Sequence, residues 1–206
     1  MSLFDKDGDF LAFLKVLEEG RRRLGMRILG YCLMSNHWHL VLWPRADEDL
    51  SAYVQWISST HVRRWREHRH NVGEGHLYQG RFKSFPIQQD HHLLTVLRYV
   101  EANPLRANLV GRAEEWAWSS LGRGVSSADT SVQLCAWPVE RAANWMEKVN
   151  ASLPQKETEQ IRLSVRRGRP FGQPAWVEKT AQSLGLQSTL RDPWRPAKKS
   201  ATSQRR

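Results

Sequence analysis

The chain has 206 residues, a formal net charge of +10 and only two cysteines. This length allows one domain of ordinary size and a smaller appendage. The cysteines lie outside any Cys-x-x-Cys spacing, which argues against a disulfide framework and a cysteine-based zinc site. No apolar stretch approaches the roughly 20 residues that span a bilayer, so we expect a cytoplasmic protein without a membrane partner.

The positive charge is concentrated in the last quarter of the chain. Residues 161–206 carry eleven Lys and Arg against two acidic residues, whereas residues 1–160 carry twenty against nineteen. Because each cation that neutralises a phosphate releases condensed counterions, this distribution favours a polyanion as partner. The alternative is a solvated extension without a ligand. We expect residues 193–206, which have no apolar periodicity, to be disordered.

The first part of the chain alternates between helical and strand patterns. Apolar spacing predicts an amphipathic helix over 5–25. Two strands over 26–34 and 37–44 follow, and the short polar connection Ser35-Asn36 joins them as a hairpin. A second helix is predicted over 48–70, with an expected buried stripe of Leu50, Tyr53, Val54, Ile57, Val62 and Trp65.

A third strand and a third helix complete the predicted domain. The strand covers 81–87. The helix starts near Asp90 and is expected to end at Pro104, because the residue before a proline is steered away from helical angles. This order of elements lacks only one leading strand of a ferredoxin-like split βαβ sandwich. The sequence therefore predicts an α+β fold with an antiparallel sheet over residues 1–121.

The rest of the chain has a weaker pattern. We expect a connector over 122–153 with one helix at 137–150, then a small basic helical extension over 154–192. Within the extension, residues 154–156 form a predicted linker. Residues 174–186 form a predicted short helix that carries on one side Trp176, Val177, Thr180, Ala181 and Leu184.

The stretch "MSNHWHL" places two histidines in the second predicted strand. Side chains alternate along a strand, so His37 and His39 share one face with Val41 and Trp43, while Trp38 points to the other face. The two histidine Cα atoms are about 6.6 Å apart at the usual strand rise, and imidazoles at this separation can bind one ion. For an isolated His-x-His pair, one core histidine and one surface histidine is the competing interpretation.

A second candidate group lies in the third predicted helix. Tyr99 and Asn103 are four residues apart and are expected to project from one helix face. A phenol and an amide oxygen there could supply a nucleophile and a neutral ligand to one ion. An ordinary buried tyrosine followed by a helix-terminal asparagine is the alternative. Tyr78 is a competing nucleophile, although its position near a turn favours a role as an aromatic anchor.

Four ordered motifs carry a family resemblance: "GYCLMSNHWHLVLWP", "LYQGRFKSFPI", "LRYVEANPLRANLV" and "WAWSSL". Together they resemble the REP-associated tyrosine transposases, relatives of the single-strand insertion-sequence transposases in the HUH endonuclease class. The resemblance covers about residues 3–121. Residues 166–191 also resemble the extension of longer family members.

The resemblance implies a role for each candidate residue. It implies that His37, His39 and Asn103 bind a divalent metal, and that Tyr99 cleaves single-stranded DNA through a 5′-phosphotyrosine intermediate before the ends are rejoined. Mg²⁺ or Mn²⁺ is the expected metal, and hairpin or palindromic DNA is the expected substrate. His92, seven residues before the tyrosine, is a candidate general base; a solvent-facing position at the start of the helix is its alternative.

The family pattern also has a part that this sequence lacks. Members begin with a strand of the type His-Val-x-Asn-Arg before the first helix, whereas Met1 here stands immediately before the first predicted helix. We therefore expect a ferredoxin-like fold without its first strand. Such a fold has an open sheet edge, which is a liability for stability and aggregation.

DNA contacts are expected from basic and aromatic residues, because cations neutralise phosphates and unpaired bases stack on aromatic rings. The expected nucleic-acid-binding residues are Arg63, Arg64, Trp65, Arg81, Lys83, Arg106, Arg166, Arg167 and Arg169. Both a homodimer and a monomer are compatible with the family. Two other functions compete: a non-catalytic nucleic-acid-binding protein derived from a truncated or domesticated transposase, and a zinc hydrolase, for which the sequence offers no further ligand motif.

Overall fold

The computed structural model describes residues 2–69, 76–122 and 132–191. The predicted disordered tail and residues 123–131, near the start of the predicted connector, lie outside the described residues. None of the described helices combines the length and the apolar character that crossing a membrane requires. In chain order, the helices and strands are α1 (Asp7–Leu24), β1 (Arg27–Met34), β2 (His37–Trp43), α2 (Asp49–Arg69), α3 (His91–Glu101), α4 (Asn103–Arg106), α5 (Trp145–Asn150), α6 (Gln155–Arg167) and α7 (Pro174–Ser183).

Helix α1 has the composition that its predicted ends require. Asp7 and Asp9 lie in the first turn and three arginines in the last turn, so both ends complement the helix dipole. Gly25 follows in the left-handed conformation with φ 66°, which glycine adopts without strain. The predicted first helix is confirmed.

The hairpin predicted from the alternating pattern is present. β1 and β2 pair antiparallel, with Met34 opposite His37 and Cys32 opposite His39. The other edge of β1 is covered by the segment after the 3-10 turn Ala113–Glu115, where the Leu33 amide donates to the Trp118 carbonyl over 2.9 Å. In the described ranges, the outer edge of β2 makes no backbone hydrogen bond to a further strand.

Helices cover both faces of this two-stranded antiparallel sheet. α1 and α2 pack on the face that carries Ile28 and Leu33. Helices α3, α5 and α6 belong to the cluster on the opposite face, which includes Cys32, Met34 and Val41. The described residues thus form a mixed α+β structure, and the side chains of His37 and His39 lie on the α3 side, as the alternation predicts.

The buried residues of helix α2 differ partly from the predicted ones. Tyr53, Val54 and Ile57 are buried as expected. In the next turns the buried residues are Thr60 and His61, whereas Val62 and Trp65 stay partly exposed. The reason is an aromatic contact that the sequence pattern does not reveal: the His61 ring packs 4.6 Å from the Phe13 ring of α1.

The predicted third strand over 81–87 is wrong. Of these residues, only Ile87 forms an isolated parallel bridge, and its partner is Phe171. The Phe171 amide donates to the Pro86 carbonyl over 2.8 Å, so this segment pairs with a distant part of the chain instead of the sheet. Pro86 has no backbone N–H to give to a ladder. The full ferredoxin-like arrangement is therefore not reproduced by the described residues.

The predicted third helix is divided in two. Helix α3 begins after Asp90, whose carboxylate accepts from the His92 amide, and ends at Glu101. Asn103 belongs to the following short helix α4, where Pro104 occupies the first turn and needs no hydrogen-bond donor. The prediction that Tyr99 and Asn103 share one helix is therefore wrong, although one residue alone separates the two helices.

The C-terminal part contains a helix that the sequence analysis missed. Helix α6 begins where a linker is predicted, and its buried face has only Ile161 and Ser164, which is a weak apolar signal. α5 is shorter than the predicted helix 137–150. Helix α7 is confirmed, but Leu184, predicted on its apolar side, is 51% exposed.

Candidate active site

The His37 and His39 rings converge at the start of β2. Their Nε2 atoms lie 3.1 Å apart and their ring planes are perpendicular. When two nitrogens each bind one ion at about 2.1 Å and the angle between the two bonds is about 90°, the nitrogens lie about 3.0 Å apart. The separation of the two Nε2 atoms thus fits two ligands of one metal ion.

Both imidazoles are in the charge state that metal binding requires. Burial lowers the pKa of His39 to about 3, and the neighbouring His37 and Arg106 lower it further. Burial also lowers the pKa of His37. The His37 Nδ1–H donates to the Asn36 side-chain oxygen over 2.6 Å, which leaves the lone pair on Nε2. A partner of this kind fixes the tautomer and the orientation of a ligating histidine.

Tyr99 lies beside this pair. It belongs to the last two turns of α3, which packs against β2, and its ring centre is 6.4 Å from that of His39, with the two planes nearly perpendicular. Tyr99 is 8% exposed. The phenol and the His pair, which come from a helix and a strand sixty residues apart, therefore meet in one place.

Arg106 contacts both Tyr99 and Asn103. Its guanidinium carbon lies 3.8 Å from the centre of the Tyr99 ring, and its two terminal nitrogens donate to the Tyr99 carbonyl oxygen and to Asn103 Oδ1. Burial lowers the pKa of Arg106, and the charge of Arg162 lowers it further. The Asn103 oxygen, the expected third metal ligand, therefore already accepts one hydrogen bond and has one lone pair left.

Tyr78 is placed away from the His pair. Its hydroxyl is bound by Trp38 Nε1 at 3.2 Å and by His61 Nδ1 at 2.6 Å, on the α1–α2 face of the sheet. Burial raises the pKa of the Tyr78 phenol and lowers that of His61 to about 4. These contacts fit the predicted role of Tyr78 as an aromatic anchor.

His92 lies at the opposite end of α3 from Tyr99. Its Nδ1 is 2.7 Å from Asp90 Oδ1, and seven residues of helix separate it from the tyrosine by about 10.5 Å along the axis. Within the described chain, no hydrogen bond or ring contact joins His92 to Tyr99. Asp90, His91 and His92 place one potential ligand atom each within 4.8 Å of one another, which makes them a second group able to hold a metal ion.

Two residues of α2 that were expected to contact DNA are engaged within the protein. Arg64 donates two hydrogen bonds to the Glu19 carboxylate, at 3.0 and 2.7 Å. Trp65 is partly buried, and the Arg69 guanidinium carbon lies 4.6 Å from its ring centre. Arg63, by contrast, is exposed.

Arg81 and Lys83 are both exposed, and the residue between them was missed by the sequence analysis. Phe82 is 44% exposed, an unusual exposure for a phenylalanine. The sequence signal is the triplet "RFK", in which an aromatic ring stands between two cations. An exposed aromatic ring beside basic residues is a typical stacking platform for single-stranded nucleic acid.

The arginines at the end of α6 lie beside this segment. Gly168, with φ 70°, ends α6, and a Cβ built there would be 3.4 Å from the Ser84 carbonyl oxygen. The Gln88 amide donates to the Phe171 carbonyl over 3.0 Å, which fixes the two segments together. The two segments that carry expected DNA-binding residues thus meet at Ser84 and Gly168. One segment carries Arg81 and Lys83, and the other carries Arg166, Arg167 and Arg169. One Arg167 nitrogen also donates to the Arg191 carbonyl.

An α+β scaffold that brings a neutral His pair against a tyrosine, with exposed basic residues nearby, is compatible with a DNA-processing enzyme. The family model described as "Transposase IS200 like" matches residues 2–103, just under half of the chain, and this part of the chain is similar to the IS200-like transposases. The family implies DNA binding and DNA processing, usually with a metal. The comparisons with curated proteins and with solved structures found no match.

The matched segment contains the predicted nucleophile Tyr99 and the three predicted metal ligands His37, His39 and Asn103. The transposase family predicted from the sequence is thereby supported. Arg106 and helices α5 to α7 lie beyond the matched residues, so the family model gives no information about the arginine that covers Tyr99 or about the basic extension.

Proposed function

We propose that the protein is a tyrosine transposase of the REP-associated type. It would be a metal-dependent endonuclease and strand transferase that acts on single-stranded DNA at hairpin or palindromic repeats. One observation carries the proposal: the Nε2 atoms of His37 and His39 converge to 3.1 Å, and the ring of Tyr99 lies 6.4 Å from the ring of His39.

The proposed metal is Mg²⁺ or Mn²⁺, as the family resemblance implies, held by two imidazole nitrogens and one amide oxygen. His37 and His39 would bind through Nε2, and Asn103 through the remaining lone pair of Oδ1. Because all three groups are uncharged, the charge of the bound ion would be available to a non-bridging oxygen of the scissile phosphate.

Tyr99 is the proposed nucleophile. Its phenolate oxygen forms a bond to phosphorus, the bond from phosphorus to the 3′ oxygen breaks, and that oxygen takes up a proton. The products are a 5′-phosphotyrosine and a free 3′-OH. The phenol proton leaves to water, since His92 makes no contact with Tyr99. A second 3′-OH then attacks the phosphotyrosine and releases Tyr99, and the joining step needs no ATP because the ester bond is conserved.

Strand recognition is assigned to the exposed segment 81–83 and to the end of α6. Arg81, Lys83 and Arg166 are exposed and can approach phosphates, while the ring of Phe82 can stack on an unpaired base. A surface of this kind favours single-stranded DNA over duplex, because stacking needs a base that is not already paired.

The test is covalent capture of DNA. Full-length protein is incubated with Mn²⁺ and a labelled hairpin oligonucleotide, and denaturing electrophoresis measures the protein–DNA adduct. We expect an adduct with wild type and with Tyr78→Phe, and none with Tyr99→Phe. An adduct that persists in Tyr99→Phe contradicts the assignment of the nucleophile. A wild type that binds the hairpin without forming an adduct favours the non-catalytic nucleic-acid-binding alternative.

A further inference from the structure

Among the described residues, Arg106 is a partly buried cation without an acidic partner. Within the described chain, no Asp or Glu oxygen pairs with its guanidinium; its acceptors are the Tyr99 carbonyl and Asn103 Oδ1, both uncharged. A charge removed from water without a countercharge is costly. The Tyr99 ring and the two uncharged acceptors offset part of that cost, and an anionic ligand would stabilise the site further.

A second cation comes from helix α6. Ile161 and Val165 anchor this helix in the cluster that contains Tyr99, and α6 contacts α3 directly. Arg162, next to Ile161, is exposed and has no ion pair in the described chain. Since Ile161 is buried in the same cluster as Tyr99, Arg162 stands one residue from a side chain of that cluster, on a helix that contacts α3.

A third donor lies at the same place. Asn103 is 9% exposed, and its buried Nδ2 has no hydrogen-bond partner among the described residues. The amide cannot simply be reversed, because Arg106 donates to Oδ1 and two donors would then face each other. A buried donor without a partner requires an acceptor from outside the described protein atoms.

We propose that Arg106, Arg162 and Asn103 Nδ2 form a binding site for the DNA phosphate that Tyr99 attacks. The class of ligand rests on the proposed function, and the inference deepens it by adding α6 to the catalytic site. Guanidinium groups bind two phosphate oxygens at once, in a geometry that a planar donor fork matches. Arg162 then contacts a non-bridging oxygen from helix α6, so that the C-terminal extension contributes a residue to the site.

The first measurement needs no catalysis. The binding constant of hairpin DNA for the Tyr99→Phe protein is measured in EDTA at a series of salt concentrations, with and without the second substitution Arg162→Ala. Log K falls as log salt rises, and loss of one phosphate contact is expected to make this slope shallower by about 0.7 for a single strand. Lys156→Ala is the matched control, because Lys156 is exposed on the same helix and its removal changes the net charge equally.

The second measurement is the rate of adduct formation at saturating DNA with Mn²⁺. Arg162→Ala is expected to reduce this rate at least tenfold, Arg162→Lys less, and Lys156→Ala not at all. Since saturating DNA removes effects on binding, a loss of rate shows that Arg162 acts on the attacked phosphate.

The outcomes separate the two proposals. If Arg162→Ala and Lys156→Ala change the salt slope equally, or if Arg162→Ala keeps the wild-type rate at saturation, the phosphate site is overturned. If wild type forms no adduct but Arg162→Ala still reduces the salt dependence selectively, the nuclease proposal fails, and the site stands as a contact to a DNA phosphate that is not cleaved.

Discussion

The guanidinium of Arg106 lies over the ring of Tyr99, 3.8 Å from its centre, and also donates to the Tyr99 carbonyl. A cation over an aromatic face is attractive, and more so when both groups are removed from water. The same guanidinium binds Asn103. One arginine therefore fixes both the ring of the proposed nucleophile and the amide of the proposed third metal ligand.

Arg106→Lys tests whether this arrangement matters beyond its charge. Lysine keeps the charge but has no planar fork, so it cannot cover the ring and bind both acceptors. We expect adduct formation to fall about tenfold, the factor that corresponds to about 1.4 kcal/mol of transition-state stabilisation. The exposed Arg112→Lys serves as the control, and equal rates for both variants would contradict the positioning role.

Metal binding is expected to depend on β2 and not on the second His–Asp group. In calorimetric titration with Mn²⁺, His39→Ala should abolish binding at the main site. Asn36→Ala should weaken it about tenfold, because the Asn36 oxygen orients His37. His92→Ala should leave the isotherm unchanged. Loss of binding in His92→Ala would instead assign the metal to the group at the start of α3.

Acid is expected to destabilise the fold through His61. This residue is 3% exposed, its pKa is lowered to about 4, and its neighbours are the Tyr78 hydroxyl, the Phe4 and Phe13 rings and, electrostatically, Asp9. On acidification, His61 is protonated in the unfolded chain at a higher pH than in the folded protein. The free energy of unfolding therefore falls as the pH decreases from about 6.5 to about 4.

The measurement is urea unfolding at pH 7 and pH 4.5. His61→Gln should lose less stability between these values than wild type, by on the order of 2 kcal/mol, because glutamine does not titrate. The exposed His68→Gln should behave as wild type. The same acid dependence in His61→Gln and wild type would show that other groups cause it.

Glu101 is expected to be a structural polar link. Its carboxylate is 2% exposed and accepts from the Ser120 hydroxyl at 2.6 Å and from Trp145 Nε1 at 2.7 Å, so it joins α3 to the segment that covers β1 and to α5. Burial raises the pKa of Glu101. Glu101→Ala leaves Trp145 Nε1 without an acceptor and leaves the Ser120 hydroxyl only the longer bond to the Tyr31 carbonyl, and it should cost about 3 kcal/mol in unfolding free energy.

Glu101→Gln is the informative comparison. Its amide oxygen can accept from Trp145 while its nitrogen donates to Ser120, so a loss of less than about 1 kcal/mol is expected. Equal losses for the two substitutions, measured by urea unfolding at pH 7, would mean that the charge itself is needed.

The hairpin and the side of the sheet that carries the His pair were predictable, because strand alternation depends only on neighbouring residues. The approach of Tyr99 to His39 was expected from the family resemblance. The pairing of Pro86 with Phe171 was not predictable, since it joins residues 85 positions apart that carry no complementary pattern. Arg162 escaped prediction for a related reason: α6 has a weak apolar face, and only its packing against α3 brings that arginine near Arg106.

Phe82 offers a test of strand recognition that is independent of catalysis. Its ring is 44% exposed between two exposed cations, so Phe82→Ala should leave the unfolding free energy nearly unchanged. Loss of one stacked base is expected to weaken binding of single-stranded DNA by about 1–3 kcal/mol, with little effect on duplex of the same length. Leu109→Ala is the matched control, because Leu109 is 48% exposed and lies outside the basic segment. Fluorescence anisotropy measures the binding of both DNA forms. If Phe82→Ala weakens the binding of single strand and duplex equally, or weakens binding no more than Leu109→Ala does, the ring does not stack on a base. Recognition by this segment is then electrostatic.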